Sequence, residues 1–486
     1  MMKRMFFTKN GLILCMALIL LPMAGWAEEK LPGPEGYSFY TTEHKKQFDD
    51  PTDLFVTRPL KSILPPEIYE MMAFDKEKMK KETAELLGFT APELVGKIAP
   101  EIKPGKDTFK DLVKYPGLKE LFPPLIVKNI LKPGAPPLVG NIPEFEIIPT
   151  RQFYMFLPLI EASRRNLGKT KLDKDGYIDP WSWEGGVPFP RPSGEFKAQQ
   201  VLYNFDRRSI AYDSCWGIWG NNSHGFDRNL KMDKRTSVNV AAIRYKGRIL
   251  FPPYGWYDER AKKKNEWMGY GYNMLEPRAN RGLIMLRYRY DDPDRLDPAM
   301  IYIPSLRRVR KMSSTDTQDP SGDMIYDDQS MFMQKITPKK YPYKYEIIEE
   351  REYLMFYSYG SSPGWIDSKN GYTIRGLHAM RRPCYVFQMT QLDPNYTYSK
   401  RIYYIDMETS ACIYNENYDQ KGRLYRAQFY HGYSFFPEYG VFNHYGGVTV
   451  QHDYIDMHSS VSSIVGLPVV WPRDRFSMGY LTKRGK

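Results

Sequence analysis

The segment 383–426 reads PCYVFQMT at 383–390, RIYYIDMET at 401–409 and YDQKGRLYR at 418–426. Apolar and polar residues alternate in each part, as they do in a β-strand that buries one face. Polar turn formers separate the parts, and Gly422 supplies the positive φ that a tight connection needs. The segment therefore predicts consecutive antiparallel strands of a large sheet with one buried face.

The period of two also predicts which side chains share a face of this sheet. The more apolar face carries Tyr385, Phe387, Met389, Ile402, Tyr404, Tyr425, Ala427 and Phe429. The same reasoning predicts further strands at 197–206, 238–245, 248–252, 283–290, 299–303, 343–348 and 352–359. We expect one β-rich unit, because these signals run almost unbroken along the second half of the chain.

Residues 28–180 have a different composition, with paired prolines at 65, 123 and 136 and amphipathic runs between them. Pro66 is typical of a helix start. Helical spacing follows at 75–87 and 151–165, and the weaker run at 106–121 is interrupted by Pro116 and Gly117. The sequence thus predicts a helical, Pro-rich region at 28–180, packed on a sheet domain at 181–486.

The first 27 residues have the layout of a secretory signal peptide. Lys3, Arg4 and Lys9 precede the apolar run 12–21, and the small-residue site ends at Ala27. Cys15 stands behind Leu14 in mid-run, where lipidation requires a small residue, so a lipoprotein anchor is disfavoured. We expect cleavage before Glu28 and a periplasmic mature protein.

Composition is consistent with a large exported protein. The 486 residues are 42% hydrophobic and 15% aromatic, which provides for a sizeable core. Loss of the three basic signal residues lowers the net charge from +12 to +9. This surplus either attracts anionic lipids and acidic partners or is an ordinary solvated surface. Export and the absence of a basic and aromatic array argue against nucleic-acid binding.

Three cysteines remain after processing, at Cys215, Cys384 and Cys412. Two arrangements stay open: a Cys384–Cys412 bridge between neighbouring predicted strands, or three buried thiols. The spacing contains no CxxC, so redox catalysis and a structural zinc site lack support.

Catalytic signatures are weak. The GSSPG sequence at 360–364 fits GxSxG, but Pro363 follows the serine, has no N–H for an oxyanion hole and starts no helix. The acid pairs at 291–292 and 327–328 would point to opposite faces of a strand, so we interpret them as turns or solvated edges. The sequence predicts no catalytic residue and no cofactor.

The one metal hypothesis rests on His452, Asp456 and His458 in the extended segment 452–458. Positions i, i+4 and i+6 of a strand spread over roughly 20 Å, so all three cannot converge without a bend. Asp456 and His458 are therefore the weak candidates, and solvated edge residues are the preferred interpretation.

Several motifs resemble those of a known protein group. One predicted strand and the hairpin after it are similar to the late strands of LolA- and LolB-type lipoprotein carriers. The matching residues are Tyr398, Lys400, Arg401, Tyr403, Ile405, Asp406, Glu408 and Thr409 in the strand, and Asp419 and Gly422 in the hairpin. The GGVPFP segment at 185–190, the strand at 302–310 and the acidic segment 323–328 resemble a secreted bacterial family of unknown function related to them. The resemblance covers residue 38 to the C-terminus.

This resemblance implies an α+β fold: a large curved antiparallel sheet, or half-barrel, with helices covering its open side. It implies a non-catalytic periplasmic carrier for a lipid or lipidated molecule. It also implies transient contact with the membrane and an inner-membrane export permease of the resistance-nodulation-division (RND) type as partner.

Candidate ligand contacts come from the aromatic loop that begins at Trp181 and from apolar strand faces. They are Trp181, Trp183, Phe189, Tyr288, Tyr302, Tyr385, Phe387 and Tyr404. The main alternative is an envelope scaffold, or a glycan- or protein-binding module, that uses a Tyr- and Trp-rich face. A weaker alternative is a metal-dependent envelope hydrolase.

Overall fold

The computed structural model describes residues 66–72, 74–108, 114–131, 139–207, 213–312, 339–359, 364–431, 433–436, 441–443, 446–468 and 471–484. Its helices are α1 (Pro66–Met72), α2 (Lys76–Leu87), α3 (Ala91–Leu94), α4 (Pro124–Ile126), α5 (Leu157–Asn166), α6 (Lys197–Arg207), α7 (Glu259–Lys264) and α8 (Met478–Arg484). A π-helical turn, Val127–Leu131, continues α4. In the part of the chain described, no helix is both long and apolar enough to cross a bilayer.

The strands are labelled in chain order. They are β1 (Gly105–Thr108), β2 (Glu144–Ile147), β3 (Ser214–Phe226), β4 (Met232–Arg244), β5 (Lys246–Arg248), β6 (Gly255–Trp256), β7 (Glu266–Glu276), β8 (Ile284–Tyr290), β9 (Ala299–Ile303), β10 (Arg308–Met312), β11 (Tyr343–Tyr359), β12 (Trp365–Asp367), β13 (Thr373–Arg375), β14 (His378–Gln391), β15 (Tyr398–Asp406), β16 (Cys412–Asp419), β17 (Leu424–His431), β18 (Tyr433–Phe436), β19 (Val441–Asn443), β20 (Gly446–Asp453) and β21 (His458–Pro468).

The main sheet is antiparallel over most of its width. Its strands pair in the order β10, β9, β8, β7, β4, β3, β21, β20, β17, β16, β15, β14 and β11. Short parallel contacts add β2 to β14 and β18 to β11. The hairpin β20–β21 lies between β17 and β3 and joins the two halves of the sheet. The protein is a mixed α+β fold with a large, mostly antiparallel sheet.

The central strands bury both faces, which corrects the prediction of a single buried face. Tyr385 and Phe387 on β14 pack in one apolar cluster with Tyr403 of β15. Val386 and Tyr404 point to the other side and belong to the main core, so the prediction that Tyr404 shares a face with Tyr385 and Phe387 is wrong. The strands still alternate, but apolar residues occupy both sets of positions because each face is covered by other parts of the chain.

The cover on the first of these faces is α6, so the prediction of a strand at 197–206 is wrong. Ala198, Val201, Leu202 and Phe205 are buried against the cluster of Tyr385, and their spacing of three and four residues is helical. The aromatic and β-branched content of the segment gave a false strand signal.

Other predicted elements differ in their limits. The strands expected at 343–348 and 352–359 are one strand, β11, in which the pairing with β14 shifts between Ile347 and Glu349. Ile348 is 51% exposed at this irregularity. Of the strand expected at 248–252, the first residue alone belongs to β5. The strands predicted at 283–290 and 299–303 are confirmed: β8 begins one residue later than predicted, and β9 has the predicted limits. The strand predicted at 238–245 is confirmed as the second part of β4, which begins at Met232 and ends one residue before the predicted limit.

The N-terminal helices form largely where predicted. Asp75 caps α2 by accepting hydrogen bonds from the backbone N–H groups of Glu77 and Lys78, at 2.9 and 3.1 Å. Gly88 ends the helix with a φ of +87°. The run at 151–165 is helical only from Leu157, and the run at 106–121 contains a strand and then a 3₁₀ helix, Pro116–Leu121.

The cysteine pair predicted as one alternative does not form. Cys384 and Cys412 are both free and buried. They lie on β14 and β16, which are separated by β15 rather than neighbouring. Burial raises the pKa of the Cys384 thiol well above its ordinary value, which keeps it protonated.

Candidate ligand-binding site

A cavity of about 50 Å³ lies where α2, α5 and α6 meet the turn between β15 and β16. Most of its wall is apolar; the polar side chains are those of Thr83 on α2, Asn204 on α6, the tyrosine hydroxyls and the turn. The wall consists of Thr83, Leu87, Phe89, Phe153, Tyr154, Met155, Leu159, Val187, Pro190, Pro192, Val201, Asn204, Tyr385, Ile405, Asp406, Met407, Glu408, Thr409 and Ser410.

The GGVPFP segment forms one side of this cavity, and two helices hold it in place. A Cβ on Gly186, whose φ is +75°, would lie 2.5 Å from the backbone nitrogen of Ser163, so only glycine lets the segment approach α5 this closely. The Val187 N–H donates to Ser163 Oγ at 2.8 Å. Asn204 of α6 bonds both the N–H and the carbonyl of Phe189, at 2.8 and 2.7 Å. The segment is therefore a fixed wall between α5 and α6.

Below the cavity lies a buried network around Arg382. Its guanidinium contacts Asp406 at 2.5 Å and Glu408 at 2.7 Å, and all three side chains are at most 1% exposed. Tyr357 donates its hydroxyl hydrogen bond to Asp406 at 3.2 Å. Phe153 covers the guanidinium, 4.2 Å from ring centroid to Cζ.

The remaining oxygens of the network accept backbone N–H groups. Glu408 accepts from Ala91 at 3.1 Å and from Phe153 at 2.7 Å, so it fastens two N-terminal segments to the β15–β16 turn. Burial raises the pKa of Glu408 despite the charge of Arg382. Burial alone would lower the pKa of Arg382, but Asp406 and Glu408 raise it. Through these bonds, both carboxylates hold the β15–β16 turn to Arg382 and to the backbone.

The structure distributes the eight predicted contact residues among several places. Tyr385 lines the cavity, and Phe387 lies beneath α6. Tyr404 and Tyr302 are buried in the main core. The others are the half-buried Phe189, Tyr288, whose hydroxyl donates to the Phe476 carbonyl, the fully buried Trp183, and Trp181, which is 56% exposed. Their role as ligand contacts remains a prediction.

Trp183 belongs to a buried ionic cluster that sequence reasoning missed. Asp291 pairs with Arg207 and with Lys246, the latter at 2.5 Å, and its side chain is fully buried. Asp291 was predicted as a turn or solvated edge residue; it does lie in the turn after β8, but it is buried, so the expectation of solvation is wrong. The sequence contains no local signal for the pairs, because the three residues come from β5, α6 and the end of β8.

Aromatic rings complete this ionic cluster. The Arg207 guanidinium lies 4.0 Å from the Trp267 ring centroid and 5.4 Å from that of Trp183. Burial lowers the pKa of Lys246, and the charge of Asp291 opposes this effect. The cluster fastens α6 to the sheet at the end opposite the cavity's polar turn.

The residues of the metal hypothesis do not form one site. His458 Nε2 lies 3.0 Å from Asp233, and the segment 452–458 is a hairpin turn between β20 and β21, not a continuous strand. His452 is fully buried and donates from Nε2 to the Val139 carbonyl at 2.7 Å. Among the described residues, no three His, Cys, Asp or Glu side chains form a group able to hold a metal ion. Residues 360–363 of the GSSPG sequence and the 327–328 acid pair lie outside the described residues.

Most of the chain matches one known protein family. A family model described as "Protein of unknown function (DUF1329)" matches residues 125–468, well over half of the chain. The chain belongs to the DUF1329 family. The match includes the GGVPFP wall, α6 and nearly the whole sheet, and it crosses the predicted domain boundary at residue 180. No curated protein matches this DUF1329 sequence.

Solved structures similar to this DUF1329 protein are smaller. A DUF1329 protein from Desulfovibrio piger is 14% identical, with a TM-score of 0.40; the matched region covers 58% of this chain and 96% of the Desulfovibrio chain. A LolA superfamily protein from Nitrosomonas europaea is 15% identical with a TM-score of 0.37, covering 58% and 98%. A domain provisionally described as outer-membrane lipoprotein-sorting, from Vibrio parahaemolyticus, is 12% identical with a TM-score of 0.41, covering 58% and 97%. Identities this low assign no function.

Proposed function

We propose that this protein is a non-catalytic carrier that encloses an apolar ligand, a lipid or lipidated molecule, between α2, α5, α6 and the sheet. The observation that carries the proposal is the cavity wall, which is mainly apolar; outside the turn 406–410, the polar side chains of Thr83 and Asn204 are already hydrogen-bonded to Met155 and Phe189. The carboxylates at that turn are already bonded to Arg382 and to backbone N–H groups. A ligand therefore meets an apolar surface and finds no reactive group among these residues.

The cavity volume defines what binding requires. About 50 Å³ holds one or two water molecules, whereas pockets for small ligands measure roughly 300–1,000 Å³. Ligand entry therefore needs α6 and the segment 187–192 to move away from the β15–β16 turn. Each Å² of acyl chain removed from water contributes about 25 cal/mol, so a few hundred Å² supplies several kcal/mol for this opening and for affinity.

The first test is purification of the mature protein from the periplasm under gentle conditions, followed by native mass spectrometry and organic extraction. The expected result is one lipid-class molecule bound per chain. A ligand-free protein that also takes up no fluorescent fatty-acid probe contradicts the proposal.

A matched pair of variants locates the ligand. Val201→Phe adds bulk to the cavity wall, and it should abolish uptake of the probe. Val309→Phe makes the same change on β10, away from the cavity, and should leave uptake intact. Equal uptake by the two variants would place the ligand elsewhere in the molecule.

The cellular setting is part of the same proposal. The predicted signal peptide at 1–27 lies outside the described residues, and N-terminal sequencing of the mature protein tests cleavage before Glu28. We include transfer from an RND-type permease of the inner membrane as the step that loads the ligand. Covalent cross-linking in intact cells followed by mass spectrometry tests that partner.

One observation favours the glycan-binding alternative as a second candidate. Trp181 is 56% exposed, and its ring centroid lies 5.9 Å from that of the half-buried Trp256. Paired surface indoles offer a stacking face for a sugar ring. Quenching of tryptophan fluorescence by peptidoglycan fragments, lost in Trp181→Ala, would support this function; an unchanged spectrum would remove it.

A further inference from the structure

Six hairpin turns of the main sheet lie at the same end of the strands. They follow β3, β7, β9, β14, β16 and β20, and the antiparallel pairing of each strand with its successor places every turn on one side. We call this set the hairpin rim; it comprises residues 227–232, 277–283, 304–307, 392–397, 420–423 and 454–457.

Contacts join the six turns of the rim in three neighbouring pairs. His458, beside the last turn, reaches Asp233 of the β3–β4 hairpin at 3.0 Å. Gln420 Nε2 donates to the Tyr396 carbonyl at 2.7 Å, which links the turns after β14 and β16. On the other flank, a Cβ at Gly282 would lie 3.5 Å from Pro304, so the turns after β7 and β9 are in contact.

Exposed apolar side chains concentrate on the rim. Eleven large apolar side chains are exposed among the described residues, and five of them are here. They are Leu230, Met232, Leu306, Leu392 and Ile455, with exposures from 39% to 59%. Leu230 and Met232 share the β3–β4 turn and the other three stand on separate turns, so the rim offers several aliphatic points rather than one flat patch.

The exposed charges of the rim are mainly basic. They are Arg228, Lys231, Arg278, Arg281, Arg307, Lys421 and Arg423, with Arg308 directly beside the third turn. Of the acidic residues, Asp227 and Asp393 accept hydrogen bonds from the backbone of their own turns, and Asp456 is exposed. Asp233, directly beside the first turn, is also exposed, and Asp419 pairs with Arg423 at 2.7 Å. The rim therefore presents positive charge around its aliphatic tips.

The backbone conformation of Leu230 gives a second indication that this turn has a role outside the fold. Its φ is +58°, a left-handed conformation that a leucine adopts at a cost and that Gly or Asn adopts readily. A 46% exposed leucine in this conformation at a hairpin tip benefits neither the core nor the turn.

We propose that the hairpin rim docks on the surface of an anionic phospholipid membrane. Basic side chains attract the headgroups, and the aliphatic tips enter the interfacial region between them. The rim residues do not line the cavity, so this inference is independent of the carrier proposal.

Flotation with phosphatidylcholine vesicles, with and without phosphatidylglycerol, tests the inference on the purified mature protein. We expect binding only to the anionic vesicles, weakened by salt. The variant Arg278→Gln, Arg307→Gln, Arg308→Gln should lower the apparent affinity roughly 100-fold, because each basic residue near an anionic surface contributes about a factor of five. The double variant Leu230→Ser, Leu306→Ser should bind anionic vesicles more weakly than the wild type at high salt as well, because salt screens the charge attraction and leaves the apolar contribution.

The matched control removes the same charge at the opposite end of β7. Lys262→Gln, Lys263→Gln, Lys264→Gln acts on the exposed lysines of α7 and should change the affinity less than about fivefold. Equal losses in both triple variants, or no binding of the wild type to anionic vesicles, overturn the proposal. Capture of a protein partner by the rim without vesicle binding also overturns it. Val201→Phe should bind vesicles normally, which separates this result from failure of the carrier proposal.

Discussion

Arg382 and Asp406 form a two-pronged ion pair on β14 and β15, with Nε–Oδ2 at 2.5 Å and Nη2–Oδ1 at 3.2 Å, and neither side chain is exposed. The pair lies under the cavity and holds the turn that forms its polar side. Loss of either partner leaves a buried charge that is only partly compensated.

We therefore expect Arg382→Met to lower the free energy of unfolding by about 3–5 kcal/mol, measured by urea denaturation. Asp406→Asn should also destabilise the fold, and the double variant should cost less than the sum of the two, because the Asp406 charge that Arg382→Met leaves unpaired is then absent. Glu408 loses its cation in both variants that lack Arg382. Lys78→Met, at an exposed helix pair with Glu82, is the control and should change stability by less than about 0.5 kcal/mol. Additive losses at Arg382 and Asp406 would contradict this account.

The adjacent acids Asp291 and Asp292 allow a second comparison within one turn. Asp291→Ala leaves Arg207 and Lys246 without their shared carboxylate, so we expect a loss of about 3–5 kcal/mol. Asp292 is half-buried, and its carboxylate accepts the Asp294 N–H at 2.9 Å, so Asp292→Ala should cost about 1 kcal/mol or less. Urea unfolding of both variants measures the two losses in the free energy of unfolding. Equal losses would contradict a larger contribution of the buried ion pairs to stability.

His452 predicts a pH dependence of stability. Burial lowers its pKa from 6.5 to about 4, so the folded protein keeps the ring neutral while the unfolded chain protonates it. Its contribution is complete above about pH 6.5 and is lost as the pH falls toward 4, by about 3 kcal/mol in total.

Unfolding curves of the wild type and His452→Gln across this range isolate the effect. The difference in free energy between the two proteins should narrow as the pH falls. Glu408, whose pKa is raised, acts in the opposite direction but equally in both proteins, so it cancels. A difference that stays constant with pH would mean that His452 is not held neutral.

Leu230 predicts a substitution that stabilises the fold. Leu230→Asn removes the cost of a left-handed leucine, so we expect a gain of about 1 kcal/mol in thermal unfolding. Leu392→Asn is the control, because Leu392 is also exposed but has no positive φ and should show no gain. If the two variants showed the same change in thermal stability, backbone strain at Leu230 would be contradicted.

Sequence reasoning performed best where the pattern is local. The alternation in 383–426 and the tight turn at Gly422 predicted β14 through β17, and the helical spacing at 75–87 predicted α2. It failed at 197–206, where the apolar residues satisfy both periods and only the neighbouring sheet decides that the segment is α6. The candidate contact Tyr385 reaches the cavity because α6 covers its face of β14.

By itself, the sequence determined the strands and their alternation, since a side-chain period of two is a property of the local backbone. It also carried the motifs that resemble the DUF1329 family. The tertiary structure alone decided that both faces of the central strands are buried, that Asp291 meets Arg207 and Lys246, and that the turns form one rim. These relations join residues far apart in the chain, and no local pattern encodes the burial or the charge that such a partner provides.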